Sequence, residues 1–212
     1  MHADFVKTGL AARLRADTAP LHSEAERSGL MVRLLRGNIA QTEYCRLLRS
    51  LHAIYSALEQ ALARNAARAD LAPVCLPELA RTAALEDDLS VLHGEGWRED
   101  IAIAESAAEY VRHIELLEAS QPALLAAHSY VRHLGDLYGG QMLRRVVASS
   151  FGLGDGIGTR FYAFGTERVA DLIARYRAGL DALPQDIDSI EAMVAEAQWG
   201  FVRHIRLFGE LA

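Results

Sequence analysis

The sequence has few cysteines and no long apolar run. Cys45 and Cys75 are the two cysteines among 212 residues, and they form neither a CxxC pair nor a disulfide framework. This usage is typical of a reducing compartment. No stretch approaches the roughly 20 apolar residues that would span a bilayer, and residues 1–10 lack the apolar core of a signal peptide. We therefore expect a cytoplasmic protein without a membrane segment.

An excess of basic charge is also missing. The chain has 22 lysines and arginines against 28 aspartates and glutamates, which gives a net charge of −6. A mildly acidic chain gains little from releasing counterions from phosphates, so the composition argues against nucleic-acid binding. A chain of this length can bury a substantial core, and we expect one domain over residues 1–212.

Apolar residues recur at every third or fourth position, which is the spacing of amphipathic helices. The clearest stripe comprises Tyr44, Leu47, Leu48, Leu51, Tyr55, Leu58 and Leu62. Helices are predicted at residues 8–27, 30–36, 42–64, 77–93, 106–119, 122–150, 166–183 and 186–211. No stretch alternates like a β-strand, so the sequence predicts an all-α fold of about eight helices.

Local signals predict how some of these helices begin. Thr42 is the expected N-cap of the 42–64 helix. Ser106 and Glu109 have the spacing of a capping box at the start of the 106–119 helix. Pro20 either kinks the 8–27 helix or opens a second helix at its first position.

Three glycines, Gly135, Gly139 and Gly140, interrupt the helical pattern of residues 127–144. Each costs about 1 kcal/mol relative to alanine in a helix interior. Arg132, Asp136 and Gly139 share one stripe of that helix, with Gly135 beside it. The missing side chains would let a flat or bulky ligand approach the backbone next to Asp136. The alternative is a tight helix crossing through GxxxG, with Asp136 paired to Arg132.

A second candidate feature lies in the 8–27 segment. Arg15, His22 and Glu26 line one edge of its apolar stripe if the helix continues through Pro20. Glu26 stands four residues after His22, where a carboxylate can accept the second N–H of an imidazole and make it a better metal ligand. The alternative is a half-buried histidine in a surface hydrogen bond. The other histidines form no HxxxH pair and no ExxH pair, which argues against a di-iron carboxylate bundle.

Five colinear segments resemble the haem oxygenase family, and together they cover most of the chain. Residues 133–143 (HLGDLYGGQML) resemble the family signature written around LGDLSGGQ, and residues 14–26 (LRADTAPLHSEAE) are similar to the segment around its proximal histidine. The other segments are LHAIYSALEQALARN (51–65), LPELARTAALEDDL (76–89) and EAQWGFVRHIRLFGEL (196–211).

The resemblance implies a haem held between a proximal helix and a kinked distal helix. His22 matches the axial ligand of the haem iron, and Glu26 matches the carboxylate beside it. Asp136 matches the aspartate that anchors the distal water network, with Arg132 and Tyr55 as its neighbours. The other matches are the distal glycines Gly135, Gly139 and Gly140, and the propionate contacts Arg15, Tyr130 and Arg177. On an ideal helix Tyr130 lies about 160° from Arg132, so it reaches the propionates only if the glycines bend the helix.

The sequence also departs from the family pattern. Tyr138 replaces the serine of the signature, and His204 stands where mammalian members have asparagine. Ile173 and Ala19 each replace a basic propionate contact, and Pro20 is unusual so close to His22. Fewer propionate anchors would leave the haem freer to rotate in its plane.

The implied activity is opening of the haem ring, at the α-meso carbon, to biliverdin, carbon monoxide and ferrous iron. Haem would be both cofactor and substrate, and O₂ and an electron donor, either a ferredoxin or a flavin reductase, would be required. We expect the chain to act as a monomer. One alternative is a haem-binding or haem-transfer protein without turnover, which would need neither Asp136 nor the three glycines. Another is a helical fold of the thiamine-degrading type, which would need a catalytic cysteine.

Overall fold

The computed structural model describes residues 9–165, 168–184 and 186–212. Over these ranges the chain is all-α and contains no strand, which confirms the predicted fold class. The α-helices are α1 (Leu10–Glu26), α2 (Gly29–Leu35), α3 (Gln41–Asn65), α4 (Thr82–Leu92), α5 (Trp97–Asp100), α6 (Glu105–Ser120), α7 (Leu125–Ser129), α8 (Gly135–Phe151), α9 (Val169–Asp181) and α10 (Ile187–Glu210).

Short irregular helices complete the fold. A π-helical turn (Tyr130–Leu134) joins α7 to α8, so the predicted 122–150 helix runs on as one rod with an irregular middle. Turns of 3₁₀-helix span Ala72–Val74, Pro77–Leu79, Pro122–Leu124 and Arg160–Tyr162. The predicted helix starts at residues 8 and 166 lie outside the described residues.

The core is formed by α1 packing along α10 and by α3 packing against α4 and α6. The α3 stripe predicted from the sequence, from Tyr44 to Leu62, is buried at every position. Burying one such leucine contributes about 1.5–3 kcal/mol relative to leaving it exposed. The stripe therefore fixes α3 in the middle of the bundle.

The predicted starts of α3 and α4 are wrong. The N-cap of α3 is Ala40 and not Thr42, and the Glu43 carboxylate accepts the Ala40 N–H at 2.8 Å. Residues 77–93 are not one helix, because Pro77–Leu79 is a 3₁₀ turn and α4 begins only at Thr82. Glu59 on α3 accepts the Thr82 N–H, at 3.1 Å, so a distant carboxylate sets this start.

The start of α6 also differs from its prediction. Ser106 is not the N-cap, because α6 begins at Glu105 and Ala104 precedes it without a side-chain cap. Instead Glu210, near the end of α10, accepts the N–H groups of Glu105 and Ser106 at 2.7 and 2.9 Å. The first turn of α6 is therefore capped from the far end of the chain.

Pro20 lies inside a single continuous helix and does not open a second one. The backbone of α1 continues from Leu10 to Glu26, although proline supplies no N–H to the helix at that position. His22 and Glu26 consequently share one helix, as the predicted site requires.

Candidate functional site

A cleft runs between α1 on one side and the π-helical turn with α8 on the other. It has two adjoining lobes of about 300 and 360 Å³, and both are lined by His22, Val131, Gly135, Tyr138 and Phe201. These volumes lie at the lower end of the roughly 300–1,000 Å³ of small-molecule sites. The walls of the inner lobe are mainly aliphatic and aromatic, so the cleft suits a ligand with a large apolar surface.

His22 stands on α1 with its imidazole half exposed to the cleft. Its ring meets Phe201 edge-on, with the centroids 5.9 Å apart. Its Nδ1 lies 3.8 Å from Glu26 Oε1, which is an ion-pair distance and too long for a direct hydrogen bond. No hydrogen bond within the described part of the chain occupies Nε2. This nitrogen is therefore available to a ligand.

The six other histidines within the described ranges differ from His22, because each has a hydrogen-bond partner. The pairs are His52 with Glu86, His93 with Asp100, His113 with Glu196, His128 with Tyr110 and Glu196, His133 with Ser129, and His204 with Arg132. Among these histidines, His22 is thus the one that the cleft leaves open, and its role as an iron ligand stays a prediction.

Gly135 and Gly139 face the cleft from α8. A Cβ atom built at either position meets nothing within 4 Å, so neither glycine lies at a close helix crossing. The alternative GxxxG packing is therefore not what these two residues do. Gly140 differs, since a Cβ there would lie 3.4 Å from Tyr162. Gly140 belongs to the same helix but lies against Tyr162, which itself lines the inner lobe, and its place beside a ligand stays a prediction.

Asp136 lies at the centre of a buried polar network on the α8 side. The Tyr55 hydroxyl donates to Asp136 Oδ2. The Arg132 guanidinium lies 3.3 Å from Asp136 Oδ1 and also donates to the Tyr55 hydroxyl at 3.3 Å. The structure thus brings together the three residues that were predicted as the catalytic group.

Burial shifts the titration of this network. It raises the pKa of the Asp136 carboxyl well above its usual value, because an ionised carboxylate loses solvation in the interior. It lowers the pKa of Arg132 to about 10 for the same reason. The pKa of His204 falls well below its usual value, mainly through burial and then through the Arg132 charge.

Neutral His204 completes the network from α10. Its Nε2 accepts a hydrogen bond from Arg132 Nη1 at 2.8 Å, while its Nδ1 donates to the Gly200 carbonyl at 2.9 Å. From the sequence, His204 is only a departure from the family pattern, and its role as the acceptor for Arg132 was not predicted. Its spacing from Phe201 and Phe208 on one face of α10 is the signal that places it at the cleft.

Arg15, Tyr130 and Arg177 meet at the outer lobe. The Tyr130 hydroxyl lies 3.1 Å from Thr18 Oγ1, and burial raises its pKa. Neither arginine forms an ion pair within the described residues. This lobe therefore presents positive charge beside a mostly apolar surface.

Tyr130 reaches the cleft from the π-helical turn. Tyr130 and Arg132 both lie in this turn, with Tyr130 on the outer lobe and Arg132 on the inner one. A π-helical turn adds one residue and so rotates the side chains before it relative to those after it. The two side chains point in different directions, as the angle of about 160° predicts, and each lines its own lobe.

Comparison with known proteins identifies the chain. The family model described as heme oxygenase matches residues 8–210. Heme oxygenase 1 of Synechocystis sp. is 36% identical over 209 residues, which cover 97% of this chain and 86% of that protein. Heme oxygenase 1 of Nostoc sp. is 34% identical, over 97% and 87% of the two chains. The chain belongs to the haem oxygenase family.

Solved structures agree with this assignment. The crystal structure of heme oxygenase-1 from the cyanobacterium Synechocystis sp. in complex with heme superposes with a TM-score of 0.92, at 36% identity, over 96% of this chain and 92% of that one. Heme oxygenase from Leptospira interrogans gives a TM-score of 0.90, at 33% identity, over 96% and 100% of the two chains.

The cleft fits the cofactor of the haem oxygenase family. His22 Nε2 is an open imidazole ligand, and the two glycines opposite leave room for a flat ring. The apolar walls match the faces of a porphyrin, and Arg15 and Arg177 match its carboxylates. Ala19 and Tyr138, which depart from the family pattern, lie at the cleft: Ala19 lines the outer lobe, and Tyr138 stands at the rim with 58% exposure. Ile173, another departure, packs on the core instead.

The two cysteines do not provide the nucleophile that a thiamine-degrading enzyme would need. Both are free thiols, with Cys45 buried in α3 and Cys75 partly buried. Burial raises the pKa of Cys45 to about 11 and also raises that of Cys75. Thiolates are the reactive form, so neither cysteine is activated.

Proposed function

We propose that this member of the haem oxygenase family opens the haem ring to biliverdin, carbon monoxide and ferrous iron. One observation carries the proposal: the open Nε2 of His22 and the buried Asp136 network face each other across one cleft. Bound haem would supply both the iron that activates O₂ and the ring that is opened. The chain's own residues then have to hold the ring, exclude bulk water and hold or transfer protons.

His22 would hold the iron as a neutral imidazole through Nε2. Glu26, 3.8 Å from Nδ1, would attract the proton on that nitrogen and so favour the tautomer that leaves Nε2 free. Glu26 is exposed, so its contribution is that of a solvated carboxylate. The proximal face thus binds through one imidazole and one nearby charge.

Asp136 would position a water molecule and pass a proton on the distal face. Tyr55 donates to Asp136 Oδ2, which leaves Oδ1 between Arg132 and the cleft. Because burial raises the pKa of Asp136, this carboxyl can hold a proton closer to neutral pH than an exposed aspartate can. Tyr55, Arg132 and His204 keep the group in one orientation.

Arg15, Arg177 and Tyr130 would hold the propionates at the outer lobe. Two guanidinium groups beside a hydroxyl can pair with two carboxylates and so set the rotation of the ring in its plane. We infer opening at the α-meso carbon from this single anchored edge. The chemical identity of the bilin product tests that regiochemistry.

A haem carrier would need His22 but not the buried polar network. Taking Asp136 and Arg132 out of water carries a desolvation penalty that binding alone does not require. The network is therefore better explained by turnover than by haem transfer.

The family needs a reductant and O₂. We infer that a separate ferredoxin or flavin reductase supplies the electrons, since the sequence has no flavin or iron–sulfur motif. The two free thiols support a reducing compartment, which we infer to be the cytoplasm. We also infer that the chain acts as a monomer. In the part of the chain that the structure describes, no helix is long and apolar enough to cross a membrane.

The direct test reconstitutes the full chain with haem and then adds a reductant and O₂. We expect the haem absorption to disappear with the formation of a bilin, which chromatography against the four biliverdin isomers would identify. A haem spectrum that survives reductant and O₂ without bilin formation would overturn the proposal and favour a carrier.

A further inference from the structure

Away from the cleft, three helices bring two imidazoles and one carboxylate together. Glu196 Oε1 on α10 lies 2.6 Å from His113 Nε2 on α6 and 2.9 Å from His128 Nε2 on α7. The three ligand atoms all lie within 4.8 Å of one another. The haem site uses none of these side chains. We propose that His113, His128 and Glu196 form a binding site for a divalent transition-metal ion.

The donor set is suitable for such an ion. Two imidazoles and one carboxylate are a common ligand set for zinc and for non-haem iron. Bonds of about 2.0–2.1 Å at tetrahedral angles place ligand atoms about 3.3 Å apart. The separations from Glu196 Oε1 are 2.6 and 2.9 Å, so this oxygen and the two nitrogens would have to move apart by about half an ångström. The two imidazole nitrogens lie within 4.8 Å of each other and would have to come to about 3.3 Å.

Neighbouring residues fix both imidazole rings independently of Glu196. His128 is fully buried, and its Nδ1 lies 2.8 Å from the Tyr110 hydroxyl. His113 stacks on Trp199, with ring centroids 3.8 Å apart and an interplanar angle of 22°. When His128 Nε2 binds a metal, its proton moves to Nδ1 and can be donated to the Tyr110 oxygen. These contacts would keep the two rings oriented toward a shared metal while the ligand atoms make that small adjustment.

The site can be reached from solvent. The side chains of His113 and Glu196 are 22% and 13% exposed, and His113 lies in a surface groove that Trp199 also lines. The groove also contains three arginines, of which Arg112 pairs with Glu105 and Arg203 with Glu109 at 2.8 Å each, while Arg206 lies 3.6 Å from Glu109. The two carboxylates offset part of the basic charge that would repel a cation. Water can supply the remaining ligand from the groove side.

Metal binding to the tag-free, haem-free full chain tests the proposal. The His22→Ala variant is the starting point, because it removes the open imidazole of the cleft. Co²⁺ titration should give the visible absorption bands of a four- or five-coordinate site at one equivalent, and Zn²⁺ should displace Co²⁺. Equilibrium dialysis should then retain one Zn²⁺ per chain.

Two single changes locate the metal. His113→Gln and Glu196→Gln should each lower Zn²⁺ affinity by more than about 10-fold, since losing even an outer partner of a ligand costs about that much. His93→Gln breaks a different surface histidine–carboxylate pair, with Asp100, and should leave binding unchanged. Failure of the folded His22→Ala chain to bind Co²⁺ or Zn²⁺ would refute the site. Binding that survives both glutamine variants would do so as well.

Discussion

The two faces of the cleft are built in different ways. On α1, His22 and Glu26 lie one turn apart on a single helix, and both side chains are about half exposed. On the opposite face, Asp136 is buried and held by Tyr55 from α3, by Arg132 from the π-helical turn and, through Arg132, by His204 from α10. The first face can adjust to a ligand, whereas the second is fixed before any ligand arrives. We therefore expect haem binding to depend mainly on the His22 side chain, and ring opening to depend on the buried network around Asp136.

The strongest way to separate the two faces is Asp136→Ala. We expect haem binding to persist, because the iron ligand is on the other face, while ring opening falls by at least about 10²-fold, as for loss of a positioned acid–base group. Single-turnover measurements of bilin formation, with the haem spectrum as the binding control, provide the test. Wild-type turnover in this variant would remove Asp136 from the proposed mechanism.

His22→Ala should produce the opposite pattern. Loss of the imidazole should change the spectrum of bound haem and weaken haem binding by more than about 10-fold. Losing a residue that merely hydrogen-bonds a metal ligand already costs about that much affinity. Haem titration followed by absorption would measure both effects, and added imidazole should restore part of the spectrum. An unchanged spectrum would mean that the iron ligand lies elsewhere.

Acid should lower the free energy of unfolding through the buried imidazole of His133. Burial, aided by the Arg132 and Arg81 charges, lowers the pKa of His133 to about 3 in the folded chain. Between that value and the usual pKa of about 6.5, the unfolded chain binds a proton that the folded chain does not bind. The free energy of unfolding should therefore fall as pH falls below about 6.5, by up to about 1.4 kcal/mol per pH unit for this group.

Urea unfolding between pH 7.5 and 5 would measure this dependence. His133→Leu should reduce the slope of the free energy of unfolding against pH, because it removes one neutral buried imidazole. His93→Gln changes an exposed imidazole and should leave the slope unchanged. Equal slopes in the wild-type chain and in His133→Leu would contradict the assignment.

His204→Leu tests how far the distal network depends on α10. It removes the acceptor for Arg132 Nη1, which we expect to lower stability by about 1–3 kcal/mol and to slow ring opening. His204→Asn keeps a hydrogen-bond acceptor and should recover part of both losses. If the leucine and asparagine variants behave alike, the hydrogen bond to Arg132 is not what His204 contributes.

The smallest expected effect concerns the glycines. Gly139→Ala should stabilise the haem-free chain by about 0.5–1 kcal/mol, since its Cβ meets nothing and alanine is the better helix former. The same methyl group should weaken haem binding, because it enters the cleft. Gly140→Ala is the matched control, because its Cβ meets Tyr162 and should bring no such gain in stability. Thermal unfolding of both variants with and without haem would compare them.

The sequence predicted the proximal face better than the distal one. Helical spacing placed His22 beside Glu26 and buried the α3 stripe from Tyr44 to Leu62, because both depend on the geometry of a single helix. The π-helical turn at Tyr130–Leu134 was not predicted, since apolar spacing does not distinguish one π-helical turn from an α-helix. The position of Gly140 against Tyr162 and the hydrogen bond from Arg132 to His204 were missed because each joins elements that are far apart in the sequence.

The Glu210 cap on α6 has a consequence for the order in which the chain matures on the ribosome. The residues that it joins are separated by 105 and 104 positions, so the first turn of α6 leaves the ribosome long before its cap is made. Until the last turn of α10 emerges, the amides of Glu105 and Ser106 have only water as a partner. α1 is in the same position, because α10, along which it packs, is synthesised long after it. The proximal helix can therefore dock on α10 only after residues 187–210 have been translated.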